Sequence, residues 1–162
     1  MEKLIATVGF VGHLKPAPGT WGSLAALPIF WALHVLGGPL ALGLAIVAAY
    51  LAGLWATARY TAQTGVKDPS EVVIDEVVGQ WIALWPVSFG AYMMGADVLR
   101  LWPGLISAFL FFRLFDIVKL GPVRWADDRG DAQGVMLDDV FAGLFAGLLT
   151  LAAAGVYHIG FM

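Results

Sequence analysis

The chain has 162 residues, 60% of them hydrophobic and only 13% charged, with nine basic against twelve acidic side chains for a net charge of −3. A soluble domain carries about 25% charged residues, so this composition, with a mean hydropathy of +0.81, describes a single integral membrane domain over residues 1–162. Nothing in the charge balance favours nucleic acid, and the lack of cysteine excludes disulfides, zinc–thiolate sites and thiol catalysis.

The first twelve residues hold a single lysine and a glycine-broken apolar run with no small-residue cleavage site, so they are not read as a removable signal peptide. Pro16-Ala17-Pro18-Gly19-Thr20-Trp21-Gly22-Ser23 follows. Its prolines fix φ, and its glycines allow close backbone approach. Thr20 and Ser23 place hydroxyls just ahead of an apolar segment. The stretch is therefore either a plain turn with Ser23 as N-cap or an anion-binding loop at a helix start. Leu24–Leu36 comes next, and its thirteen residues cover roughly 20 Å as a helix, short of a hydrocarbon core of about 30 Å. It is a tilted half-span, one arm of a re-entrant hairpin, or the end of a helix that begins earlier. After Gly37-Gly38, the segment Pro39–Thr57 is long enough to span, with Pro39 suited to a first helical position.

Val72–Met94 is the next spanning candidate, with a kink expected at Pro86. It opens with Asp75 and Glu76 inside a run of β-branched apolar residues. Such a pair either complements the helix macrodipole or supplies oxygen ligands to a hard cation such as Mg²⁺ or Mn²⁺. Leu101–Val118 carries Arg113, Asp116 and, just past its end, Lys119, three residues apart along one side of a helix. These read as an ion-pair ladder with snorkelling cations, or as an acid for a metal beside two cations for a phosphate; Arg124 follows closely. Val135–Tyr157 is the cleanest span and opens with Asp138 and Asp139, more acid than an N-cap requires. Ala142/Ala146 and Gly143/Gly147 repeat at four-residue steps that favour tight contact with another helix, which would bring the two acids toward acids on that neighbour. The three histidines form no pattern, and the seven tryptophans suit interfacial belts.

The expected fold is all-α, a polytopic membrane helix bundle of about four to five membrane segments with the first short or re-entrant. With five crossings, eight of nine basic residues and eleven of twelve acids fall on one side, leaving only Arg100 and Asp97 opposite. The positive-inside rule makes the charged side cytoplasmic. Ionisable residues at the ends of such apolar segments usually serve a site. A small transporter or channel subunit with a carboxylate cation site is the competing reading. Transport needs polar groups through the depth of the bilayer, whereas here the far halves of the helices are almost wholly apolar.

Taken in order, the four motifs resemble those of the bacterial phosphatidylglycerophosphatase A family. The likeness rests on Pro16-x-Pro18-Gly19-Thr20-x-Gly22-Ser23-Leu24-x-x-Leu27-Pro28, Val73-Ile74-Asp75-Glu76-x-x-Gly79, Phe112-Arg113-x-Phe115-Asp116-x-x-Lys119 and Gly134-x-Met136-x-Asp138-Asp139-x-x-Ala142-Gly143, and covers nearly the whole chain. One departure is Lys119-Leu120-Gly121-Pro122, where the family commonly has Lys-Pro-x-Pro. The resemblance implies a multi-pass, Mg²⁺-dependent phosphatase of the bacterial inner membrane, its site facing the cytoplasm, that converts phosphatidylglycerophosphate to phosphatidylglycerol. On that reading Asp75, Glu76, Asp138 and Asp139 hold one or two Mg²⁺ ions, with Asp116 a further ligand or general base. Arg113, Lys119 and Arg124 offset phosphoryl charge, and Thr20 and Ser23 orient the phosphate. Direct attack by water and an aspartyl-phosphate intermediate both remain compatible with these residues.

Overall fold

The computed structural model describes residues 1–161, in which the regular elements are all helical. A short α1 (Glu2–Ala6) and a 3₁₀ turn (Val11–His13) lead into α2 (Pro18–Thr64). The 47 residues of α2 are broken by Gly37 (φ −164°, ψ 19°) and Gly38 (φ 61°, ψ −151°). The Gly38 angles belong to a region open in practice only to glycine, and Pro39 restarts the helix.

Contacts with α3 (Ile74–Met94) give the direction of the two arms. The first arm runs beside α3 in the same sense. A Cβ on Gly22 would lie 2.8 Å from Val73 Cβ, Trp81 Nε1 donates to the Ala26 carbonyl at 3.0 Å, and His34 Nδ1 lies 2.7 Å from Ser88 Oγ. The second arm returns. Trp85 Nε1 donates to the Pro39 carbonyl at 2.9 Å, and Gly53 lies against Ile74 and Met136. Thus α2 is a hairpin of antiparallel arms. Its first arm begins at Pro18, so residues 18–36 reach roughly 28 Å at 1.5 Å each. The short apolar run Leu24–Leu36 is the latter part of a helix that starts earlier. Ser23 is not its N-cap; the Ser23 hydroxyl donates back to the Gly19 carbonyl at 3.0 Å.

Beyond α3, which continues through Pro86, a 3₁₀ turn (Val98–Leu101) precedes α4 (Trp102–Val118), α5 (Pro122–Asp127) and α6 (Ala132–Phe161). Asp97 caps that turn by accepting from Leu99 N–H at 3.0 Å. Among the described residues, three helices are long and apolar enough to cross a membrane: α2, α4 with its preceding turn, and α6. They surround α3, which packs against all three and has the largest buried share. Leu36, Leu44, Leu51, Ile106, Leu110, Leu148 and Leu151 face outward, while Phe30, Leu42, Leu84, Phe112 and Met136 fill the interior. An apolar exterior around polar interior groups is the arrangement a bilayer demands.

The tightest contact joins α3 to α6. A Cβ on Gly79 would strike the Phe112 ring and come within 2.6 Å of the Asp139 carbonyl oxygen, and one on Gly143 would strike the Gly79 carbonyl. Absence of side chains lets the two backbones touch, and this crossing sits one turn below Asp75 and Asp139. Gly143→Leu should therefore force the helices apart and cost about 1–3 kcal/mol through overpacking. The readout is the midpoint of thermal unfolding in detergent, and an unchanged midpoint would show that this crossing does not hold the bundle together.

Candidate active site

A cavity of about 220 Å³ opens where the start of α2, the first turn of α3, the end of α4, α5 and α6 meet. Its floor is carboxylate. One oxygen from each of Asp75, Glu76 and Asp139 lies within 4.8 Å of the other two. Asp75 Oδ1 accepts from the Glu76 N–H at 3.0 Å, and Asp138 Oδ1 accepts from the Asp139 N–H at 2.9 Å. Those local bonds fix the rotamers of Asp75 and Asp138. Asp139 is only 1% exposed, yet among the described residues neither of its oxygens nor Glu76 Oε2 has a hydrogen-bond partner. Carboxylates buried without partners cost several kcal/mol unless a cation joins them. Oxygen-only donors at this spacing suit a hard divalent ion, so Asp75, Glu76 and Asp139 form a set that could hold a metal.

The start of α2 closes over this set. A Cβ on Gly19 would run into the Glu76 carboxylate and lie 3.2 Å from Arg113 Nη1. Glycine is needed here for close approach, since any side chain would displace Glu76. Ala17, in the left-handed region at φ 57°, turns the chain into this helix start.

Two cations flank the acids, each tied to carboxylates. Arg113 Nη1 is 2.7 Å from Asp116 Oδ2 and 3.4 Å from Ser23 Oγ. Lys119 ends α4 in a left-handed conformation (φ 48°, ψ 63°) that redirects the chain into α5. Its ammonium donates to Asp127 and, at 2.8 Å, to Asp138 Oδ2. Burial disfavours the Lys119 charge, but the hydrogen bonds and charges of Asp127 and Asp138 outweigh it and hold this group above the ordinary lysine value.

Seven of the residues singled out from sequence line this one cavity: Asp75, Glu76, Arg113, Asp116, Lys119, Asp138 and Asp139. Three do not. Thr20 and Ser23 lie in the first turns of α2, and Ser23, fully buried, touches Arg113 instead of facing the cavity. The Arg124 side chain is 74% exposed and 4.0 Å from Asp128. Asp68, Ser70 and Asp127 also line the cavity and were not singled out from sequence. Asp127 sits among Arg124, Asp128, Arg129 and Asp131, where residue order alone gives no reason to prefer it to its neighbours.

An all-helical bundle with membrane-length apolar helices brings unpaired acids and tethered cations together in one cavity, a set of groups that could hold a metal ion and a phosphate. Comparison with known proteins defines it further. Residues 4–154 match the family profile described as Phosphatidylglycerophosphatase A. A phosphatidylglycerophosphatase A of Haemophilus influenzae is 35% identical over 150 residues, covering 91% of this chain and 86% of that protein. Its Escherichia coli namesake is 32% identical over 158 residues, covering 96% of this chain and 82% of that one. A Bacteroides thetaiotaomicron protein with the provisional name phosphatidylinositol-3-phosphatase is 40% identical over 158 residues, covering 94% and 93%. No solved structure matches the chain significantly. The chain belongs to the phosphatidylglycerophosphatase A family, and with it to the phosphatases.

The two arginines separate a largely enclosed cation from a solvent-exposed one. Arg113→Ala should strand Asp116 beside Glu76 and cost about 2 kcal/mol, below the figure for a fully buried pair because both side chains are partly exposed. Arg124→Ala should change stability by less than about 0.5 kcal/mol. Equal losses in thermal unfolding of the two variants would contradict this assignment.

Proposed function

We propose that this protein is a Mg²⁺-dependent phosphatase that removes the terminal phosphate of phosphatidylglycerophosphate at the cytoplasmic surface of the bacterial inner membrane. The observation that carries the reading is the convergence of Asp75, Glu76 and Asp139, with unpaired oxygens on Glu76 and Asp139, beside Arg113 and Lys119. Family membership supports the choice of lipid. Asp75, Glu76 and Asp139 would hold the Mg²⁺ ion, which when bound would polarise a phosphoryl oxygen and lower the pKa of the attacking water.

The chain's own groups do the remaining work. Arg113 presents a planar guanidinium that matches two phosphoryl oxygens, and Lys119 adds a point charge on another side of the cavity. Such charges count most where negative charge spreads over the equatorial oxygens of the transferring group. Asp116 and Asp138 aim these cations. The α2 N-terminus, at Pro18 and Gly19, adds its positive dipole end to the same cavity. Position at one end of an apolar bundle suits a lipid whose headgroup stays at the membrane surface and whose acyl chains stay in the bilayer. Of the acids, only Asp97 lies at the opposite end, as a turn cap, which disfavours a cation path from end to end.

Two relatives carry one lipid in their names and a third carries another. Both substrates are phosphate monoesters on a phospholipid headgroup, so the substrates must be compared directly. Purified protein in mixed micelles should release phosphate from phosphatidylglycerophosphate at least about tenfold faster than from phosphatidylinositol 3-phosphate, a margin of about 1.4 kcal/mol in barrier height. EDTA should abolish the activity and excess Mg²⁺ restore it. Faster release from the inositol lipid, or indifference to EDTA, would overturn the proposal.

Asp139→Asn should lower turnover by about 100-fold or more, the scale of losing one electrostatic element of a transition-state site, while the variant still folds in membranes. Near-wild-type activity of that variant would remove Asp139 from the site.

A further inference from the structure

Lys119 is held by two carboxylates that differ in how firmly they are anchored. The Asp138 side chain is 8% exposed, lies within α6, and is fixed through its other oxygen by the Asp139 N–H. The Asp127 side chain is 37% exposed and ends the six-residue helix α5. An ammonium has three N–H donors, and Asp127 and Asp138 engage Lys119 together. This group of three therefore carries one net negative charge, which repels a phosphate. For a phosphate to reach Lys119 with favourable electrostatics, one carboxylate must give way, and Asp127 is the more exposed and less anchored of the two. Arg113 has no such arrangement, since its partner Asp116 lies three residues on along the same helix.

From these contacts we propose that Asp127 stands in for the phosphate: it keeps Lys119 aimed into the cavity when no substrate is bound, yields when a phosphate arrives, and competes with the phosphate for the ammonium. It is a positioning residue acting through Lys119, and it sets how tightly the product phosphate is retained. The inference rests on the reading of this cavity as a phosphate site.

The test uses the full chain in detergent with Mg²⁺ and inorganic phosphate as the probe, titrated by calorimetry into wild type, Asp127→Asn and Asp127→Glu. Loss of the competing charge in Asp127→Asn should tighten phosphate binding roughly two- to fivefold, the scale of one partly exposed charge pair. Asp127→Glu, which retains the charge, should stay close to wild type. A general loss of structure would weaken phosphate binding, the opposite of the expected direction. Unchanged or weaker binding by Asp127→Asn, or no binding by any of the three proteins, would overturn the proposal. Phosphate release from phosphatidylglycerophosphate by wild type is measured in parallel. If that release fails while the titrations behave as described, the assigned lipid is wrong and the role of Asp127 stands.

Discussion

The site depends on a backbone contact one turn below it, the meeting of Gly79 on α3 with Gly143 on α6. Two helices that each carried ordinary side chains at that crossing would stand several ångströms further apart. Asp75 and Glu76 would then be separated from Asp139, and no common cation could engage all three. Burying unpaired carboxylates is unfavourable by itself, so close packing of the apolar helices below must hold them there. The helical stability stored in the bundle is in this sense spent on concentrating negative charge at one end.

That division of labour follows the bilayer. Leucines and isoleucines cover the outside of α2, α4 and α6, where hydrocarbon is the solvent. Helix α3 is enclosed by them and carries Asp75 and Glu76 in its own first turn. Charge appears where the helices end, water is close and a headgroup can be presented. Cations placed beside the acids are each tethered, Arg113 along its own helix and Lys119 across three elements. The cavity thus holds two cations whose directions are set by carboxylates of the chain itself.

Much of this was legible from residue order. Asp75-Glu76 and Asp138-Asp139 stood out because acids inside apolar runs need a reason, and the small-residue steps in α6 pointed to the close contact that unites them. The start of α2 was harder. Pro16, Pro18 and Gly19 carry the composition of a loop, but proline is favoured in a first helical turn, and the helix begins at Pro18. Thr20 and Ser23 consequently sit on helical turns instead of in an open loop, and Ser23 meets Arg113 from behind. Asp127 could not have been chosen over Asp128 by any local pattern. What distinguishes it is the left-handed turn at Lys119, which leads into α5, packed against α6, and brings Asp127 to the Lys119 ammonium. Arg124 shows the converse: its charge and proximity in sequence drew it into the expected phosphate set, while its side chain lies in the open.

The convergence of Asp75, Glu76 and Asp139 on one divalent ion is the claim on which the enzymatic account turns. Crystals of the full chain grown with Mn²⁺ and measured at the manganese absorption edge address it directly. The account predicts an anomalous peak enclosed by those three carboxylates, next to Arg113 and Lys119. A peak elsewhere, or a density map with the three side chains turned away from one another, would contradict it.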